Sequence, residues 1–253
     1  MRRWTGIPHR FLAALQFLTV VPPIVRRPFM ADELGAAVGY FPLVGALLGA
    51  TLAIAATGLS LIFPWTVAAA LVLAAWVAFT GALHLDGLLD TCDGLLGGAT
   101  PDDRLRILRD ESVGAFALAG GVVTLLLKYV SLAALPNPVA ALVLAPTLGR
   151  WAMALEIVSF PYAHAEGLGR AMNDHAGWRA FALATAFAFG TAWLAGGLVG
   201  LVAGALVAGL AWTIARFALA RIPGLTGDVY GATCELAEVV VLLTMIAQAT
   251  LRL

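Results

Sequence analysis

AFALATAFAFGTAWLAGGLVGLVAGALVAGLAWTIA, residues Ala180 to Ala215, contains no aspartate, glutamate, lysine or arginine. A helix crosses a bilayer with about 20 predominantly apolar residues, so this stretch is too long for one crossing. It divides naturally near Gly196-Gly197, giving two spans in series. Working outward, the same reading finds spans over roughly Gly35 to Phe63, Trp65 to Leu85, Val113 to Leu135, Val139 to Phe160 and Leu236 to Leu251. Phe11 to Val25 is too short to span comfortably, is flanked by arginines and contains Pro22-Pro23, which reads as an interfacial or re-entrant helix. No segment carries a strand repeat, which argues against a β-barrel. The expected fold is all-α: a polytopic transmembrane helical bundle of about seven spans plus that short N-terminal helix. It forms one integral membrane domain over 1–253, with 1–34 as the N-terminal interfacial segment and 35–253 as the bundle.

Composition agrees. Of 253 residues, 61% are hydrophobic and 12% are charged, whereas a soluble domain is about 45–50% apolar and about 25% charged. The mean hydropathy is +0.93. Fifteen basic and 15 acidic residues leave a formal net charge of zero, which excludes a strongly basic nucleic-acid binder. The position of each charge is therefore more informative than the total. The turns at Phe63-Pro64, Pro136-Asn137-Pro138 and Gly196-Gly197 carry none. The N-terminus holds Arg2, Arg3, Arg10, Arg26 and Arg27, and segments 86–112, 161–179 and 220–235 hold nearly all the rest. Seven spans with a cytoplasmic N-terminus place every charged segment on the cytoplasmic side, with the uncharged turns outside. Cys92 and Cys234 then face a reducing compartment and read as two small buried thiols. Val20-Val21-Pro22-Pro23 is not a small-residue cleavage site, so the first apolar stretch does not read as a cleaved leader.

The most informative polar stretch is His84-Leu85-Asp86-Gly87-Leu88-Leu89-Asp90-Thr91-Cys92-Asp93-Gly94. Asp86, Asp90 and Asp93 follow one another at four and three residues, which on a helix stacks three carboxylates on one face. Such a cluster takes up protons, pairs with cations or binds a metal. Oxygen-only ligands suit a hard cation, and magnesium is commonly held by one or two carboxylates together with substrate phosphates. Gly87 and Gly94 leave room beside the carboxylates for a phosphate or a neighbouring backbone.

Other polar positions support the same face. Arg109-Asp110-Glu111-Ser112 ends the segment, where Ser112 is a candidate helix cap and Asp110 a further oxygen ligand. Arg150 falls near the middle of a span and needs a carboxylate or phosphate partner, with Glu156 as an internal candidate. Lys128 is nearer its helix end and is expected to snorkel outward. His164, Glu166 and Arg170 suit polar ligand contacts in a glycine-punctuated loop. Asp228 and Glu235, seven apart, read as a second, smaller acidic site converging on the first.

Taken together, the run His84 to Leu95, Arg109-Asp110 with Gly114, Glu166-Gly167-Leu168-Gly169 and Gly227-Asp228-Val229-Tyr230-Gly231-Ala232 resembles the cobalamin synthase family, the adenosylcobinamide-GDP ribazoletransferases. The resemblance covers about residues 35 to 240. It implies a magnesium-dependent transferase that joins adenosylcobinamide-GDP with α-ribazole or its 5′-phosphate, releasing GMP. The residues read beside it point to Asp90 or Asp93 as the base, Asp86, Asp90, Asp93, Asp110 and Asp228 as metal ligands, and His84, Arg109, Arg150, Glu166 and Arg170 as substrate contacts. His164 departs from the pattern, which has an arginine there. Asp90-x-x-Asp93-Gly94 is also similar to the start of the CDP-alcohol phosphotransferase signature, but Gly97-Gly98 stands where that signature has an alanine-arginine pair. An ion-coupled transporter would show internal repeats and polar groups at the bilayer midplane. Here the acids lie at helix ends, and the aspartate motif does not recur. A non-catalytic membrane scaffold would leave the aspartates and Arg150 without a role. Besides lipid, the glycine-rich stretch from Gly196 to Gly209 permits close packing within one chain or between copies in a homo-oligomer.

Overall fold

The structure is a computed structural model and describes residues 7–110 and 112–251. Arg2, Arg3 and Glu111 lie outside the described residues. The elements are α1 (Ile7–Leu18), α2 (Ala31–Ala37), a single turn at Val38–Tyr40, α3 (Phe41–Ser60), α4 (Trp65–Phe79), α5 (Leu83–Gly97), α6 (Pro101–Ile107), α7 (Ala115–Ala134), α8 (Val139–Ser159), α9 (Leu168–His175), α10 (Trp178–Leu219) and α11 (Gly227–Leu251). Among the described residues the only β contact is an isolated bridge between Tyr162 and Leu225. Prolines mark several helix starts: Pro64 precedes α4, Pro138 precedes α8 and Pro101 opens α6, where Thr100 caps the Asp103 N–H.

Among the described residues five helices are long and apolar enough to cross a membrane, or six when α4 and α5 are taken as one bent span. One of the five, α10, is two helices. Gly197 holds φ +56°, ψ −137°, a conformation open mainly to glycine, and the chain reverses there. A side chain on Gly200 would meet the Ala192 carbonyl, and one on Gly204 would meet the Phe189 ring. Those pairs are far apart along a straight helix, so the two arms of α10 pack side by side, as the Gly196-Gly197 break predicts. Counting its two arms separately adds one apolar segment to either number.

Small residues let the helices approach closely, the usual source of association where lipid is as apolar as leucine. Gly45 and Gly49 of α3 lie against the backbone of Pro146, Leu142 and Val143 on α8. Gly149 of α8 lies against Cys234 and Glu238 of α11. Both cysteines are free.

Four expectations need correction. The second span stops at Phe79 rather than continuing to Leu85. Gly81 and Ala82 both take positive φ, and α5 leaves α4 at 85°. The N-terminal helix ends at Leu18 rather than Val25, and the Val20 N–H is tied to the Phe79 carbonyl at the α4–α5 corner. The last helix begins at Gly227, two turns before Leu236, so Glu235 lies inside it.

The fourth correction concerns Lys128. It does not snorkel: it is 2% exposed and donates to Glu235 (2.5 Å) and to Glu238 of α11. Its ammonium also stands 4.8 Å from the centre of the Trp76 ring. Arg150 of α8, 1% exposed, pairs with Glu238 and not with Glu156, which instead accepts from the Thr233 hydroxyl. Two cations and two anions thus close a buried ionic knot joining α7, α8 and α11. Each charge there has a partner, as a charge far from water requires.

Candidate active site

The charged loops gather at one end of the bundle. Leu225 N–H donates to Pro161 O and Ala163 N–H to Leu225 O, both at 2.8 Å, pinning the segment before α11 to the loop after α8. Gly35 of α2 lies against His175 of α9. Arg109 donates to His164 Nδ1 at 2.9 Å, linking the end of α6 to the α8–α9 loop. Burial, reinforced by the Arg109 charge, holds the His164 pKa below its ordinary value, consistent with a neutral ring that accepts.

Within this end, α5 lies across the first turns of both α7 and α11. On one side Gly120 and Gly121 of α7 make room for Cys92 and Leu89. On the other, a side chain on Gly87 would meet the Asp228 backbone at 2.9 Å, and one on Gly231 would meet His84. Gly87 therefore serves the approach of a neighbouring backbone, and it brings the Asp86–Asp90 face against Asp228. α5 is helical through all three aspartates, as their spacing predicts.

The aspartates then separate in role. Asp93 Oδ2 accepts from the Gly114 N–H (2.5 Å) and Oδ1 from the Ala117 N–H (2.9 Å), so it caps α7 from another helix. Ser112 is not that cap; its own N–H donates to Asp110 at 3.0 Å. Asp86 and Asp228 line a cavity of about 310 Å³ running inward between α5, α8, α9 and α11. Thr226 holds Asp228 through a 3.1 Å hydroxyl contact. Asp90 carries an uncompensated burden: burial first, then the charges of Asp86, Asp228 and Asp93, lift its pKa to about 6.

The remaining sequence candidates fall at three places. His84 lines the same cavity, is 1% exposed and contacts Arg150 through Nδ1 at 3.3 Å. Arg150 is thus behind the site, already paired, and reaches it through His84. Asp110 and Arg109 line a neighbouring open cavity of about 510 Å³ with Arg106 and His164. Glu166 is exposed, and Arg170 pairs with Asp174 on α9 at 2.8 Å; neither lines these two cavities. Glu235, read as part of a second acidic site, belongs to the buried knot instead.

Sequence reasoning missed the aromatic and apolar part of the cavity. Tyr162 and Tyr230 stack at 6.0 Å between ring centres, and Phe17, Met153 and Ile157 complete the wall. Tyr230 stood inside the Gly-Asp-Val-Tyr-Gly motif, so a signal existed; Phe17 and Met153 gave none. Among the described residues no three His, Cys, Asp or Glu side chains form a ready cluster for a metal ion. Asp86 and Asp228 are oxygen donors on converging elements at the cavity, beside an Asp90 raised by burial first and then by its charged neighbours, and one or two carboxylates could hold a hard cation there.

Residues 10–246 match the family described as cobalamin-5-phosphate synthase. The chain is 37% identical over 253 residues, all of its length and 94% of the relative's, to an adenosylcobinamide-GDP ribazoletransferase of Roseiflexus sp. (strain RS-1). It is 42% identical over 238 residues, 92% of this chain and 96% of the relative, to one of Pseudomonas aeruginosa. It is 39% identical over 240 residues, 91% and 93% of the two chains, to one of Desulfitobacterium hafniense (strain Y51). No solved structure matches.

Proposed function

We infer the reaction from kinship and site together: this chain belongs to the cobalamin-5-phosphate synthase family. It performs the final assembly step of cobalamin biosynthesis as a membrane-embedded transferase. Its substrates are adenosylcobinamide-GDP and α-ribazole or its 5′-phosphate, and its leaving group is GMP. The observation that carries this reading is the convergence of Asp86 and Asp228 at one cavity, beside Asp90 with its pKa near 6.

Phosphoryl transfer needs positioning and charge neutralisation more than covalent help from the protein. The acceptor's ribose hydroxyl attacks the phosphorus on the cobinamide side of the diphosphate. The bond to the bridging oxygen breaks, and GMP departs with that oxygen. Asp90 accepts the hydroxyl proton, because a carboxylate lifted towards neutral pH is a better base than an ordinary one. Asp93 does not compete for that role, since both its oxygens hold the start of α7. A magnesium ion held by Asp86 and Asp228 would supply positive charge to the diphosphate and the departing GMP. Arg109 and Arg106, lining the adjacent cavity, stand where further phosphate oxygens would be met.

The acidic face is assigned to the cytoplasmic side of the inner membrane. Support comes from Arg26, Arg27, Arg104, Arg106, Arg109, Arg170, Arg179 and Arg221 in the segments on that face, against turns at the other end that carry no charge.

GMP release tests the reading. Purified protein in liposomes, given adenosylcobinamide-GDP, α-ribazole 5′-phosphate and magnesium, should release GMP and form a matching amount of cobalamin product. EDTA should stop both. Folded protein that releases no GMP would overturn the assignment, and undiminished release in EDTA would remove the metal from it.

A further inference from the structure

Two residues lining the cavity below Asp86 and Asp228 each carry a buried polar atom with no hydrogen-bond partner among the described residues. His84 is 1% exposed and Tyr230 is 3% exposed; His84 Nε2 and the Tyr230 hydroxyl are buried with no hydrogen bond among the described residues. Leaving such groups unpaired is costly, so native proteins seldom do so without a ligand or water to complete them. The proton on His84 can be placed. Arg150 cannot accept a hydrogen bond, so its 3.3 Å contact with Nδ1 makes Nδ1 the acceptor and leaves the hydrogen on Nε2. Nε2 is therefore a donor, buried and unanswered, on a residue whose neighbours in the wall include the apolar Phe17, Met153 and Ile157, with Asp86 and Asp228 lining the same cavity.

We propose that this cavity receives the base of the acceptor nucleoside, with His84 Nε2–H donating to its free ring nitrogen. The proposal rests on the functional reading above and assigns one half of its substrate pair to a place. A benzimidazole-type base has one ring nitrogen free to accept, and its remaining edge is hydrocarbon. Phe17, Met153, Ile157 and the Tyr162–Tyr230 stack provide the matching apolar surface. The corrin is too large for about 310 Å³. A base seated here directs its ribose outward to Asp86 and Asp228, where the hydroxyl must lose its proton. Tyr230 is then placed to pair with the sugar.

Direct binding tests this without turnover. The protein in lipid nanodiscs is titrated with α-ribazole, and with the analogue in which C–H replaces the free ring nitrogen, in the absence of magnesium and donor. Wild type should bind α-ribazole at least about tenfold more tightly than the analogue, because a site built around a hydrogen bond rejects a ligand lacking it. His84→Phe should bind both equally, at the analogue's level, with adenosylcobinamide-GDP affinity unchanged. Because His84 also touches Arg150, Met153→Trp offers a second route: it fills the cavity away from the ionic knot. It should abolish α-ribazole binding while donor binding persists and so reports a folded protein. Equal wild-type affinity for the two ligands, or undiminished α-ribazole binding by Met153→Trp, overturns the proposal. If GMP is still released in either case, the functional reading stands and only the placement of the base falls. If wild type binds neither α-ribazole nor donor, both fall.

Discussion

Two groups of charged side chains occupy neighbouring parts of this bundle and obey opposite rules. Deep inside, Lys128 and Arg150 face Glu235 and Glu238, and each is almost wholly buried. At the charged end, Asp86, Asp90 and Asp228 crowd together, and among the described residues none of them forms an ion pair. The first group is balanced, and its chemistry is closed. Breaking it would leave a bare charge out of water, which costs about 3–5 kcal/mol. The second is unbalanced and open to a cavity. A protein keeps surplus negative charge where something positive arrives during its work. The same residue types thus serve architecture in one place and chemistry in the other, and charge balance separates the two.

The contrast can be broken most sharply at Asp90. Asp90→Asn should lower GMP release by about 10²–10⁴-fold, the usual worth of a general base. Its thermal unfolding midpoint in detergent should not fall. A folded variant retaining more than about a tenth of wild-type turnover would remove Asp90 from the chemistry. Lys128→Met should show the reverse pattern, losing about 3–5 kcal/mol of stability because Glu235 and Glu238 are left buried with one cation. Adding Glu235→Gln removes one charge of each sign and should recover most of that loss. Thermal melts of the single and double variants measure the difference, and additive losses would contradict the balance argument.

Gly87→Val should have a smaller effect on folding, about 1–3 kcal/mol, since its side chain would meet the Asp228 backbone. Activity should fall further than stability, because the change pushes Asp228 away from Asp86. Comparing melting with turnover in one preparation shows whether it does. The smallest effect is a titration. In metal-free protein Asp90 should take up its proton near pH 6, well above an ordinary carboxyl. Asp86→Asn removes a repelling charge, favours the ionised form and should lower that midpoint. Burial, the larger cause, remains, so the midpoint stays above the ordinary value. Infrared difference spectra in the carboxyl region would follow it, and an unchanged midpoint would place Asp86 too far away to matter.

Much of the outline was readable from spacing alone. On a helix the four-then-three spacing puts the acids in register, and α5 is that helix; an uncharged run too long for one crossing located the reversal at Gly197. What escaped was whatever depended on partners distant in sequence. Lys128 pairs with residues more than 100 positions away, and nothing local distinguishes such a lysine from one that snorkels. Asp93 looked equivalent to its neighbours until the start of α7 was placed against it. The 85° corner rests on Gly81-Ala82, and an alanine in a left-handed conformation is a poor sequence signal. Asp228 was foreseen beside the first cluster, whereas Glu235, two turns further into the same helix, belongs to the knot.

The most direct test sets the two groups side by side. Turnover and thermal melting are measured for Asp86→Asn/Asp228→Asn and for Lys128→Met/Glu235→Gln, with wild type as reference. The account predicts an inactive but stably folded acidic-site variant, and a knot variant that releases GMP at a rate within about tenfold of wild type once folded. An acidic-site variant that turns over like wild type would contradict it.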